Sequence, residues 1–359
     1  MSASRVHIVL LNWNSAADTL ECLESVLRID YPNYQIVICE NASSDDSVRR
    51  IRAWVSGTAQ ANPHSEPLRH LTDAPRTPPV PFVEMDRATA ESGGTPESRA
   101  ARLVLIHNGE NLGFAAGNNV GMRYAIASRT PGEASYVCLL NNDTVVQRDW
   151  LSLLMARIEN DTRVGAAGAM LYEYYEPELV ESAGGGVVHP WQGMPRGTTA
   201  TRQRRGTRAS IPRRLDFLTG ACMLMRTTML ERIGLIDERY FLYCEDVDLS
   251  LRIRQTGLKI ALVPDAEMWH KNGGTTRKQG ARRDYYIVRN SLLLVHKLYP
   301  SMIPAAMVFS LYRCLLPKIV RRDWTRLRAV VGAYRDFFRF VVGDPSAAGV
   351  GRSVPGLRS

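Results

Sequence analysis

An open, mostly parallel α/β sheet flanked by helices is the fold this sequence predicts, and three observations predict it. Short β-branched apolar runs alternate with amphipathic stretches, the rhythm of strand–helix–strand units with right-handed crossovers. Most of these apolar runs end abruptly in amides or carboxylates. The 359 residues are 45% apolar, enough for one large domain with an appendage.

The elements follow in order. VHIVLL (6–11) is a central strand, and the helix after it, capped by Asn14 or Ser15, carries Leu20, Leu23, Val26 and Leu27 on one face. YQIVICE (34–40) is a second strand. The next helix takes Ser43 or Ser44 as its cap and Val48, Ile51 and Val55 as its apolar stripe. Seven prolines from Pro63 to Pro96 break the rhythm, so 57–102 is expected to be an irregular insertion. RLVLIHN (102–108), SYVCLLNND, VGAAGAML, LTGACMLMR (218–226) and KIALVPD (259–265) supply further strands, the last stopping near Pro264. A glycine-rich, basic surface loop is expected over 184–214.

Residues 1–297 thus form the main domain. From Leu298 to Tyr312 the chain is apolar, but Pro304 interrupts it and Arg313 ends it, which is too short for a membrane span. Residues 298–343 are expected to be a helical extension. In it Trp324, Leu327, Val331, Tyr334, Phe338 and Val341 recur at helical spacing among arginines. Such a helix packs on the domain or a second subunit, making a homodimer, or lies on an anionic membrane. The tail 344–359 is expected to be disordered.

The net charge of +9 calls for an anionic partner. Nucleic acid is set aside, because no reader motif occurs and the basic residues gather in one loop and the C-terminal helix. Six scattered cysteines with no CxxC pair read as buried thiols in a reducing cytosol. No secretory h-region opens the sequence, so Asn41-Ala42-Ser43 and Asn142-Asp143-Thr144 are coincidental sequons.

Ligands of such sheets bind at the carboxyl ends of the strands. Four ends here are polar: Asn12 and Asn14, Glu40 and Asn41, His107 and Asn108, and Asn141 to Asp143. Asp143 among amides is a hard oxygen donor suited to Mg²⁺ or Mn²⁺ shared with substrate phosphates, although a turn cap would look the same. Glu245, Asp246 and Asp248 crowd one helix start, where neighbouring carboxylates raise each other's pKa; a group so tuned, beside a sugar hydroxyl, is a general base. Simple N-capping is the plain alternative, and the aromatic lead RYFLY favours a sugar site. In NGENLGFAAGNN, Gly113 permits close backbone approach and Asn111 and Asn118 supply hydrogen bonds. His270, a lone loop histidine, reads first as a surface residue, with a metal or phosphate contact as the alternative.

Taken together, IVLLNWNS, VICENASSDDS, NLGFAAGNN, LLNNDT, TGACMLMR, YCEDVDLSLR and WHKNGGTT resemble the inverting GT-A glycosyltransferases of family 2, above all the bacterial rhamnosyltransferase-like branch. The resemblance spans residues 5–57 and 102–297. It implies a GT-A (Rossmann-like) central sheet and a nucleotide-sugar pocket lined by Asn12, Asn14, Glu40, Asn41, Asn111, Gly113, Asn118, Asn141 and Asn142. It further implies a divalent cation on Asp143, with His270 at a position contacting metal or diphosphate. Asp246, with Glu245 beside it, falls at the catalytic base, and Thr219 and Gly220 on the acceptor side. Asn141 replaces the first carboxylate of the DxD element, and Glu40 an aspartate. The implied donor is a dTDP- or UDP-linked sugar, rhamnose among the candidates. The implied acceptor is a glycan or lipid-linked glycan in cell-surface polysaccharide synthesis; the amphipathic C-terminal helix adds the expectation that it is met at the cytoplasmic face of the plasma membrane. A catalytically inert nucleotide-sugar-binding protein is the alternative.

Overall fold

The computed structural model describes residues 3–61, 65–73, 79–130, 132–197, 203–205, 214–271 and 280–343. The main sheet begins with four parallel strands, β1 (Arg5–Asn12), β2 (Tyr34–Glu40), β3 (Phe82–Asp86) and β4 (Leu103–His107), and a fifth, β5 (Ser135–Leu140). These five lie in the order β3-β4-β2-β1-β5. Apart from the edge strand β3, where only Met85 is buried, their residues are almost wholly buried because helices cover both faces, which is why they read as continuous apolar runs. The helices α1 (Ala16–Val26) and α2 (Ser47–Val55) make the first crossovers.

The second half of the sheet mixes directions. β6 (Thr144–Val146), β7 (Val164–Glu173), β8 (Val180–Ser182), β12 (Cys222–Arg226) and β13 (Lys259–His270) complete ten strands, in the order β5-β12-β7-β13-β6 with β8 on β7. β7 and β13 are parallel, whereas β12, β6 and β8 pair antiparallel. Three short strands, β9 (Gly185–Val187), β10 (Arg196–Gly197) and β11 (Phe217–Leu218), form a separate antiparallel sheet. The helices between are α3 (Arg69–Thr72), α4 (Arg87–Glu91), α5 (Pro96–Ala100), α6 (Gly113–Ala127), α7 (Trp150–Asn160), α8 (Thr227–Ile233) and α9 (Glu245–Gln255).

Several expectations are corrected. The segment 57–102 is not irregular throughout: it supplies the edge strand β3 and the helices α3, α4 and α5, the last opened by a Thr95–Ser98 capping box. Its prolines are compatible with this because edge strands and first helical turns tolerate proline. β13 does not stop at Pro264 but continues to His270 across an irregularity between Val263 and Glu267. Ser43 and Ser44 do not cap α2, which starts at Ser47 behind Asp46. The loop 184–214 contributes two of the three strands of the small sheet, β9 and β10; its residues 198–202 and 206–213 lie outside the described residues, as does the tail 344–359. All six cysteines are free, and five are buried.

The C-terminal region is helical from α10 (Gly280–Leu298) through α11 (Ile303–Ser310), a π-type turn (Leu311–Leu315), α12 (Leu316–Val320) and α13 (Trp324–Val341). Pro304 falls in the first turn of α11, where its missing N–H removes no bond, so it does not interrupt the helix. Pro300–Val320 is therefore a 21-residue helical stretch, long and apolar enough to cross a membrane by length and composition alone. The expected apolar stripe of α13 is mostly not its packing face. Val330, Ala333, Tyr334 and Phe337 are buried in a cluster with Tyr285, Val288 and Leu292 of α10. Trp324, Val331, Phe338 and Val341 face solvent.

Candidate active site

The parallel strands deliver their carboxyl ends to one edge, and the turns there build a cavity. After β2, the buried Asn41 amide organises the glycine-rich turn. Its Oδ1 accepts from Asn108 Nδ2 and from the Leu112 N–H (both 3.1 Å), and its Nδ2 donates to Asn111 Oδ1 (2.9 Å). Gly113, at φ 76°, opens α6; a Cβ there would lie 2.5 Å from the Phe241 ring. The space suits Phe241, whose carbonyl accepts from the Phe114 N–H (2.7 Å) and the Ala115 N–H (3.2 Å) at the start of α6.

Strand register makes the next group. β13 pairs antiparallel with β6, setting His270 opposite Thr144 and thus beside Asp143. His270 Nε2 lies 3.2 Å from Asp143 Oδ1, while its Nδ1 faces Glu181 Oε1 at 3.0 Å. Burial pushes the imidazole pKa down, but the two carboxylates outweigh it and hold it well above its usual value. Burial pushes the Asp143 carboxyl up, and His270 with Lys271 more than reverses that, leaving it below its usual value. Lys271 is itself held by Asp18 and Glu21, each at 2.6 Å.

The acid-bearing loop reaches the cavity in a strained conformation. Phe241, Tyr243 and Cys244 have φ of 61°, 69° and 70°, and such residues persist only when their surroundings hold them. Asn290 of α10 does so: its Nδ2 donates to the carbonyls of Tyr240, Leu242 and Tyr243 at 2.8, 2.7 and 2.9 Å. Asn290→Ala removes these bonds and is expected to destabilise the fold by about 2–4 kcal/mol, measured by denaturant unfolding.

Beyond this loop, Asp246 accepts from the Gly220 N–H through Oδ2 (3.0 Å) and from its neighbour Val247 N–H through Oδ1 (2.8 Å). Burial raises its pKa, against the opposing effect of those bonds. Burial and the charge of Asp246 hold the Glu245 carboxyl well above its usual range, and its Oε2 has no hydrogen-bond partner among the described residues. Asp248, expected with them, turns away into ion pairs with Arg252 (2.8 Å) and Lys297 (2.7 Å).

These groups share a cavity of about 340 Å³. Of the residues expected at the site, Asn41, Asn111, Gly113, Asn141, Asn142, Asp143, Thr219, Gly220, Glu245, Asp246 and His270 line it. Asn12, Asn14, Glu40 and Asn118 do not. Each turns back to its own backbone or neighbours: Asn12 to Thr19 and Ser43, Asn14 to the Ser44 and Asp45 N–H groups, Glu40 to those of Ala42 and Ser43, and Asn118 to the Phe114 carbonyl. Sequence reasoning missed Trp13, Asp18 and Arg282, which also line the cavity, and Glu181 behind His270. Asp18 had a signal as the acid in the first turn of α1. Arg282, reached only through the packing of α10, had none.

A divalent cation suits this donor set once it displaces the Nε2 proton that the two carboxylates otherwise hold on His270. Asp143 Oδ1 and His270 Nε2 are separated by 3.2 Å, close to the edge of an octahedron with bonds of about 2.1–2.2 Å, and carboxylate with imidazole suits Mn²⁺. Among the described residues no cluster of three or more His, Cys, Asp or Glu could hold a metal, so substrate and water would complete the shell. Glu181 would then fix the imidazole, and Glu181→Gln is expected to weaken Mn²⁺ binding about 10–100-fold by titration calorimetry.

A mostly parallel sheet with such a cavity at its carboxyl edge fits a glycosyltransferase, and the family match shows that class. The family model described as glycosyltransferase like family 2 matches residues 90–285, more than half of the chain, and the protein belongs to that family. The N-acetylglucosaminyl-diphospho-decaprenol L-rhamnosyltransferase of Mycobacterium tuberculosis (strain ATCC 25618 / H37Rv) is 27% identical over 245 residues, covering 63% of this chain and 78% of that protein. Two solved structures share the fold. GalNAc-T7 with UDP, GalNAc and Mn²⁺ has a TM-score of 0.57 at 14% identity, over 95% of this chain and 58% of that one. The mannosyltransferase PcManGT of Pyrobaculum calidifontis with GDP-Man and Mn²⁺ has a TM-score of 0.50 at 16% identity, over 93% and 86%.

Proposed function

We propose that this glycosyltransferase moves a sugar, rhamnose being the first candidate, from a dTDP- or UDP-linked donor to a hydroxyl of a lipid-linked glycan, with inversion at the anomeric carbon. The reaction belongs to cell-surface polysaccharide synthesis at the cytoplasmic face of the plasma membrane. The observation that carries this reading is that the Asp143–His270 pair and Asp246 line one cavity. The rhamnosyl donor and lipid-diphosphate acceptor follow the relative whose name states them.

Asp143 and His270 would hold the divalent cation. When bound, that ion neutralises charge on the departing diphosphate. Asn111 and the Gly113 turn lie at the same cavity and orient the nucleotide end of the donor. Asp246 accepts the proton of the acceptor hydroxyl, its carboxylate aimed by the Gly220 and Val247 N–H groups. Its raised pKa makes it a better base than an exposed aspartate. Attack from the side away from the leaving group inverts the anomeric centre.

A thermal-shift panel of dTDP, UDP, GDP and ADP, each with and without Mn²⁺, tests the donor. Stabilisation by dTDP or UDP that requires Mn²⁺ is expected; indifference to every nucleotide diphosphate would overturn the reading. The anomeric configuration of the product, read by NMR coupling, tests inversion.

A further inference from the structure

The solvent-facing side of the C-terminal helices is apolar and basic, and we infer that it is a docking surface for an anionic lipid bilayer. On α13 and its C-cap, Trp324, Arg328, Val331, Arg335, Phe338 and Val342 succeed one another at intervals of three and four residues, so apolar and cationic side chains share one face. All six are exposed, Trp324 at 56% and Val342 at 81%. The preceding helices continue the patch with Val308, Leu311, Tyr312, Leu316, Ile319 and Val320, Val308 being 68% exposed. Soluble domains rarely leave so many large apolar side chains together in water.

Charge selects the occupant. Arg313, Arg321, Arg322 and Arg328 are also exposed, and none enters a salt bridge among the described residues. From 300 to 343 the only acids are Asp323 and Asp336. Asp323 caps α13 by accepting from the Arg326 N–H, and Asp336 accepts from Tyr285 Oη (2.7 Å) and Arg335. A second copy of the chain seated here would bring two arginine-rich faces together, whereas anionic headgroups neutralise them. Arginines flanking a tryptophan and aliphatic side chains are the composition of a helix lying in the headgroup–acyl boundary.

The helices lie along such a surface rather than cross it. One side of Pro300–Val320 is tied to the rest of the molecule: Ser310 Oγ accepts from Tyr334 Oη of α13 (2.8 Å), Lys318 pairs with Asp284 of α10 (3.0 Å), and Phe309 packs edge-on against Trp191. Insertion across a bilayer would break these contacts and bury Arg313 and Lys318 in hydrocarbon. α13 is also joined to the helix that carries one cavity-lining residue. Arg326 packs against Gly280 at the start of α10 and pairs with Asp284, flanking the cavity-lining Arg282.

Flotation of the full chain with vesicles of phosphatidylcholine alone, or containing about a third phosphatidylglycerol, tests the inference. Binding to the anionic vesicles that weakens with salt is expected, with little binding to the neutral ones. Two double variants, Val331→Asp/Phe338→Asp and Arg321→Glu/Arg328→Glu, should each reduce partitioning at least about tenfold. Their circular dichroism melts and Mn²⁺-dependent nucleotide stabilisation should stay unchanged, which separates this result from a failure of the transferase reading. Salt-independent binding to both vesicle types would overturn the inference. So would absence of vesicle binding with a wild-type dimer that the Val331→Asp/Phe338→Asp variant converts to a monomer in sedimentation equilibrium.

Discussion

The Asp246→Asn enzyme is expected to lose about 10²- to 10⁴-fold in kcat for sugar transfer, the range for removal of a positioned general base. Its nucleotide-dependent thermal stabilisation should persist, because the amide keeps the shape of the carboxylate and does not touch the Asp143–His270 pair. A loss confined to KM would show that Asp246 binds rather than reacts. The wild-type pH profile adds a second reading of the same residue. Burial holds the Asp246 carboxyl above its ordinary value, so the ionised base is lost at a higher pH than it would be for an exposed aspartate. The acid limb of kcat/KM should accordingly have its midpoint above the ordinary aspartate value of about 3.9, and activity should fall as pH drops through it. A limb at or below that value would exclude Asp246 as the base.

Asp143→Asn is the second large effect. The substitution keeps the turn but removes the charged oxygen donor facing His270 Nε2. Mn²⁺ affinity in calorimetry should drop by at least about 100-fold, beyond what loss of the outer partner Glu181 brings. Turnover at fixed Mn²⁺ should fall with it, and recover partly as the metal concentration is raised. A variant that binds Mn²⁺ as tightly as the wild type would move the metal to other residues.

The strands of the parallel half were legible because central strands buried on both faces must be continuous β-branched runs, as in residues 6–11 and 34–40. β3 was not, since an edge strand needs less apolar character and sits here among prolines. β13 was cut short in the reading because a proline usually ends a strand, and only the irregular pairing beyond Val263 allows the chain past it. The site shows the same division. Asp143 and Asp246 stand out in sequence since each sits at the edge of an element, whereas His270 is reached only through the family resemblance, because the sequence ends its strand at Pro264. Asn12, Asn14 and Glu40 occupy equally suggestive positions, yet their polar groups are consumed by the N–H groups of their own turns. Such local satisfaction leaves no trace in sequence pattern. Nor does the reach of Arg282 and Asn290 from α10, which depends on how a helix some forty residues further on packs back.

The Phe241 carbonyl that caps α6, with its ring filling the space left by Gly113, makes a latch between the two banks of the cavity. One bank carries the asparagine-rich turn and the other leads directly to the acids. Neither can swing outward alone without exposing an unpaired helix end and an emptied aromatic slot. Entry and exit of reactants must therefore proceed by shifting both banks as one body, or past other walls of the cleft.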